Sequence, residues 1–225
     1  MAEDLMTDDE QLENVKHWFS ENGTFLVGLL AAAAIGVFGW RYYDSHRNEQ
    51  ALMAAAKFNA LNTALDKNDR AAARNIADDL KKSYADTPYA DQADLMMARM
   101  AVDAGELANA VDPLTRVMNN SRDAELKNIA RLRLARVQID QGKFDEALNT
   151  LPASQSGAFT ARFHDVRGDA YYGKKDGAAA IREYQAALAD SDGRGVERGL
   201  IELKITDLGA TPNLPAPVAI VKAAP

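Results

Sequence analysis

The chain has 225 residues, a formal charge of −7, 47% hydrophobic and 26% charged residues, three histidines and no cysteine. That length suits one domain with an accessory segment, and 14 glycines with 7 prolines are too few for a largely disordered chain. Without thiols, disulfides and thiolate chemistry are excluded, and the sequence pI of about 5.0 excludes a general affinity for nucleic acid.

In chain order, residues 1–21 come first. They hold seven acids and one base, Lys16, so nearly all the surplus charge lies here. A solvated, disordered acidic tail is the expectation. Between Glu21 and Arg41 no charge occurs, and Thr24–Trp40 is apolar throughout. Seventeen to nineteen helical residues reach roughly 26–28 Å, close to the hydrocarbon core of a bilayer. Trp18 precedes the segment and Trp40, Tyr42 and Tyr43 succeed it, the pattern of aromatic belts at two membrane interfaces. A transmembrane anchor over 22–43 is therefore predicted. A buried core helix and a cleaved signal peptide are the competing readings, the latter opposed by the acidic stretch before the segment. Lys and Arg number one before the segment and three after it (Arg41, Arg47, Lys57). That count by itself favours a cytoplasmic placement of the large domain C-terminal to the segment.

Residues 44–208 read as helices. Apolar residues recur at three and four positions, as in Ile129, Leu132 and Ala135, with no alternating strand pattern. One helix should continue from the anchor to about residue 66, and a second should cover roughly 70–84, ended by Asp86-Thr-Pro88. Helical pairs are predicted over roughly 88–119, 123–152 and 157–190, and a capping helix over 194–208. Residues 209–225 hold four of the prolines and read as a disordered Pro/Ala tail.

The pairs repeat. Aligning their turns places Ala73, Ala110, Ala147 and Ala180 in register, a spacing close to the roughly 34-residue tetratricopeptide period. Small residues are needed where two antiparallel helices cross closely. Ala98, Ala135 and Gly168 take that role on first helices, and Ala110, Ala147 and Ala180 on second helices. The fold class is accordingly all-α, a single N-terminal transmembrane helix followed by a tetratricopeptide-like helical-hairpin solenoid. An unrelated helical bundle is the alternative.

First helices of such a stack line a concave face. Register puts Arg99, Arg136 and Asp169 at one groove position and Val102, Ile139 and Tyr172 one turn further on. This mixture of charge and apolar anchors suits an extended or helical protein segment. No nucleophile elbow, P-loop, dinucleotide fingerprint or zinc signature occurs. His164 stands beside Asp165 with no visible nucleophile and reads as a surface or groove histidine. Neither catalytic residue, metal nor cofactor is expected.

Several of these residues form a joint pattern: Lys16-x-Trp18-Phe-x-Glu21-Asn-Gly23, then Gly39-Trp-Arg-Tyr-Tyr43-x-Ser-His46, Leu132-Arg-Leu-Ala-Arg-Val-Gln138 and Asp165-x-Arg-Gly168. Across about residues 8–208 the chain resembles the YfgM-like ancillary subunits of the SecYEG translocon. The Pro/Ala tail departs from the shorter family pattern. The resemblance implies a single-pass inner-membrane protein with a cytoplasmic N-terminus and a periplasmic tetratricopeptide-like domain. It also implies association with the SecYEG translocon, with a membrane-anchored periplasmic chaperone of the prolyl-isomerase type and with translocated client proteins. The function expected is a non-enzymatic adaptor assisting newly translocated proteins. A cytoplasm-facing regulatory scaffold on the same fold, and a hydrolase with an unrecognised site, stay open as alternatives.

Overall fold

The computed structural model describes residues 8–152, 157–189 and 195–213, which contain helices and turns and no strand. The chain divides into two compact units, residues 1–53 and 54–225. The first helix, α1 (Asp8–Asp66), contributes to both. The acidic stretch, expected as a disordered tail, is thus helical from Asp8 onward; residues 1–7 and 214–225 lie outside the described residues.

In the first unit, α1 carries no charged residue between Glu21 and Arg41 and is apolar there around its whole circumference. Phe25, Leu30, Ile35 and Phe38 are each 69–74% exposed. A helix of this kind has no soluble core to pack against and needs an apolar surrounding. Trp18, Trp40, Tyr42 and Tyr43 are exposed at its flanks. Trp18 packs edge-on against Phe19 at 5.5 Å, and Arg47 lies 5.8 Å from the Tyr43 ring centre. No single helix among the described residues is long and apolar enough to cross a membrane. One bent pair, Lys16–Phe25 with Val27–Asp66, meets that requirement together, with a 45° bend between its halves.

The second unit begins at Ala54, whose side chain is the first in the chain to enter a core cluster. Its helices are the end of α1, then α2 (Arg70–Ser83), α3 (Pro88–Asp103), α4 (Leu107–Asn120), α5 (Ala124–Asp140), α6 (Phe144–Thr150), α7 (Thr160–Gly173), α8 (Gly177–Ala189) and α9 (Arg198–Asp207). A 3₁₀ turn, Gly157–Phe159, precedes α7. Consecutive helices pack as hairpins, and the first helices α3, α5 and α7 also touch in sequence.

Each hairpin turn has the same construction. One residue adopts a left-handed conformation: Asn68 (φ 54°), Gly105 (74°), Gly142 (76°) and Lys175 (63°). Its amide donates three residues back and the next amide donates five back. Examples are Asn68 to Leu65 O (2.8 Å) with Asp69 to Ala64 O (2.9 Å), and Gly142 to Ile139 O (2.8 Å) with Lys143 to Gln138 O (2.8 Å). These paired bonds satisfy the carbonyls left over at a helix C-terminus. Asp69 and Asp176 then cap the next helix, accepting from the amides of Ala72 (3.0 Å) and Ala179 (2.9 Å).

The small residues stand at the crossings. Ala73, Ala110, Ala135, Ala147 and Ala180 are 0% exposed and Ala98 is 1% exposed. At Gly168 an added Cβ would lie 2.4 Å from Cε1 of the buried Tyr184 ring. Gly173 plays the same part between successive hairpins, where a Cβ would lie 2.2 Å from Cε1 of Phe144. The core is a row of clusters rather than one centre. One joins the end of α1 to α2 and α3 through Leu61, Leu80 and Ala93. The next joins α3, α4 and α5 through Leu95, Leu114 and Leu134. Leu132, Leu151 and Phe163 join α5, α6 and α7, and Tyr184, Leu188 and Ile201 join α8 to α9.

Candidate protein-binding groove

α3 and α5 lie side by side, and each presents arginines where their exposed faces meet. Residues three or four apart on a helix share a face, so Arg99, Val102 and Asp103 of α3 stand together, as do Arg133, Arg136 and Asp140 of α5. Between the two helices is a cleft of about 400 Å³, lined by Arg99, Val102, Arg133, Arg136 and Asp140 over the apolar Val137. A second cleft of about 440 Å³ lies toward the end of α1, lined by Asp66, Arg70, Met96, Met100, Arg99 and Arg133. Arg99 and Arg133 border both, so the clefts meet on these two guanidiniums.

The local electrostatics are unequal. Arg99 Nε lies 3.6 Å from Asp103 Oδ2, with both side chains largely exposed. Among the described residues Arg133 donates one long bond, 3.5 Å, to the Leu95 carbonyl. Burial first, and the charges of Arg99 and Arg136 next, hold the Arg133 guanidinium below its ordinary value. Arginine stays protonated under any physiological condition, and Arg99, Arg133 and Arg136 are all exposed residues.

The six groove residues read from the sequence separate in the structure. Arg99, Val102 and Arg136 come together in the α3–α5 cleft. Ile139 is half-buried and packs against the core shared by α5, α6 and α7. Asp169 is engaged inside the stack, accepting from Tyr184 Oη at 2.8 Å and Lys204 Nζ at 2.6 Å. Those bonds tie α7 to α8 and to the capping helix α9. Tyr172 is 60% exposed but borders neither cleft. The repeat-packing set is buried in the helical stack. Arg133, Met96 and Met100 were missed. Arg133 was legible, one turn before Arg136 on the same face.

His164 also differs from its surface reading. It is half-buried, with Nδ1 2.7 Å from Glu183 Oε2. Arg167 binds the other oxygen of Glu183 through Nε (3.1 Å) and Nη2 (3.0 Å) and reaches the Leu151 carbonyl (3.0 Å). This cluster locks α7 to α8 and to the end of α6, a structural use of histidine. Among the described residues, no three His, Asp or Glu side chains are arranged to hold a metal ion.

The profile of the Tetratricopeptide repeat-like domain family matches residues 16–210. Similar curated proteins carry the name ancillary SecYEG translocon subunit. That of Escherichia coli (strain K12) is 31% identical over 205 residues, covering 89% of this chain and 96% of its own. Those of Aggregatibacter actinomycetemcomitans and Haemophilus influenzae are 30% and 29% identical over 201 residues, each covering 89% of this chain and 97% of the relative. No solved structure matches the chain.

Proposed function

The chain belongs to the family of ancillary SecYEG translocon subunits, and from that premise we propose that it is a translocon-associated adaptor of the inner membrane. The apolar part of α1 anchors it there. The helical stack lies on the periplasmic side and the N-terminus on the cytoplasmic side. The stack binds a membrane-anchored chaperone of the prolyl-isomerase type and newly translocated clients, and it catalyses nothing. Tethering supplies the function's physical logic: a module held beside the exit of the channel meets emerging chains at a high effective concentration, so weak contacts suffice.

The observation that carries the proposal is the junction of two clefts on the α3–α5 face, where arginines stand over apolar walls. A binding surface of that kind recognises a polypeptide segment rather than a small metabolite. A photo-activatable residue at Val102, in intact membranes, tests it. Capture of translocon subunits, an isomerase-type chaperone or exported chains is the expected result. Capture of none of these refutes it.

The excess of Lys and Arg after the apolar segment favours a second reading, a cytoplasm-facing regulatory scaffold. A reporter enzyme that works only outside the cytoplasm, fused after residue 208, separates the two. Activity fits the periplasmic reading; inactivity fits the scaffold.

A further inference from the structure

Several cations of the helical stack are matched by carboxylates. Asp94, 4% exposed, receives a two-pronged contact from Arg116, with Nε and Nη2 each 3.0 Å from an oxygen. Arg167 is matched by Glu183, and Lys204 by Asp165 and Asp169. At the junction of the two clefts the three arginines are exposed, and two of them lack such a partner among the described residues. Arg133 and Arg136 make no ion pair among the described residues, and the charges bearing on Arg133 are those of Arg99 and Arg136. Asp66, Asp103 and Asp140 line the same clefts, but only Asp103 reaches one of the three arginines, at 3.6 Å and largely in water.

Three guanidiniums lining one junction repel, and partial burial of Arg133 adds a desolvation cost. Bound carboxylates remove both penalties and accept the forked N–H donors that arginine offers. Around the junction, Met96 and Met100 wall one cleft and Val102 and Val137 the other. A ligand crossing the junction therefore meets apolar surface, then cations, then apolar surface again. A polypeptide with acidic side chains set between apolar ones has that sequence of chemistries.

Resting on the groove reading above, we propose that Arg99, Arg133 and Arg136 make the groove selective for acidic segments of the proteins it binds, with paired Asp or Glu carboxylates seated on the arginines and flanking apolar side chains in the two clefts. The test uses the full chain in neutral detergent and a fluorescent peptide with two glutamates between leucines, beside a twin carrying glutamines. The acidic peptide should bind about tenfold more tightly or better, and its affinity should fall steeply with salt. R133Q/R136Q should abolish the difference between the twins while the thermal unfolding temperature holds. Equal binding of the twins to the wild-type chain, a result that needs no variant, overturns the proposal. So does R133Q/R136Q that folds and still prefers the acidic peptide. Displacement of the peptide by glycerol phosphate at matched concentration would assign the arginines to a lipid headgroup and overturns it too. The two readings fail separately. Acidic preference without capture of translocon or exported proteins from Val102 defeats the proposed function alone. Capture without acidic preference defeats this inference alone.

Discussion

Replacing Gly168 by alanine tests the central packing argument. The new methyl would sit 2.4, 2.5 and 2.9 Å from three atoms of the Tyr184 ring. That ring is 2% exposed, so it has little room to retreat. Overpacking of this kind costs about 1–3 kcal/mol. Any retreat also pulls the Tyr184 hydroxyl from the Asp169 carboxylate, now 2.8 Å away, and a hydrogen bond to a charged group contributes about 1.5–3 kcal/mol. Alanine is the better helix former, which returns about 1 kcal/mol. The balance is a loss of about 2–4 kcal/mol, corresponding to a drop in Tm on the order of 10 °C for a domain of this size. Denaturant unfolding followed by circular dichroism measures it directly. The same substitution in a Tyr184→Leu background removes the ring, so the cost there should shrink by more than about 1 kcal/mol. G168A within about 0.5 kcal/mol of the parent, or an equal cost in both backgrounds, refutes the reasoning.

Two other outcomes are expected from the structure. Burial pushes the Glu183 carboxyl up, but hydrogen bonds from His164 and Arg167 outweigh it and hold the group below its ordinary value. Its contribution is therefore complete above the unfolded carboxylate value, about 4.3, and is lost as pH falls through the lower folded value. The stability gap between wild type and Glu183→Gln should narrow below about pH 4; a gap constant from neutral pH into that range contradicts the assignment. Lys175 holds a left-handed conformation at φ 63°, which costs an L-residue about 1–2 kcal/mol. Lys175→Gly should raise stability by about 0.5–1 kcal/mol after glycine's greater unfolded freedom is counted. A lower Tm for this variant speaks against strain at the turn.

The helical architecture was legible because each level of the sequence agreed with the next. The 3.6-residue pattern, the Asp86-Thr-Pro88 stop and the aligned alanines placed the helices, with α6, α7 and α9 ends shifting by a few residues. The groove was only half legible. Register arithmetic assumes that equivalent positions in every repeat face the same surroundings. At Asp169 they do not, since α9 supplies Lys204, a residue 35 positions away whose charge no local pattern announces. Ile139 was drawn inward because α6 is only seven residues long and leaves apolar surface for its neighbours to fill. The place of Arg133 beside Arg136 could have been read from their spacing; that no carboxylate pairs with it among the described residues could not. The bend in the apolar part of α1 had no signal either, since uniform hydrophobicity carries no directional information.

The reversals between helices are closed by main-chain amides and carbonyls, with the Asp69 and Asp176 side chains capping the helices that follow. Architecture and recognition are thereby assigned to different atoms. The exposed positions of α3 and α5 can change without disturbing how the chain doubles back, so one skeleton can present different surfaces while its hairpins keep their shape.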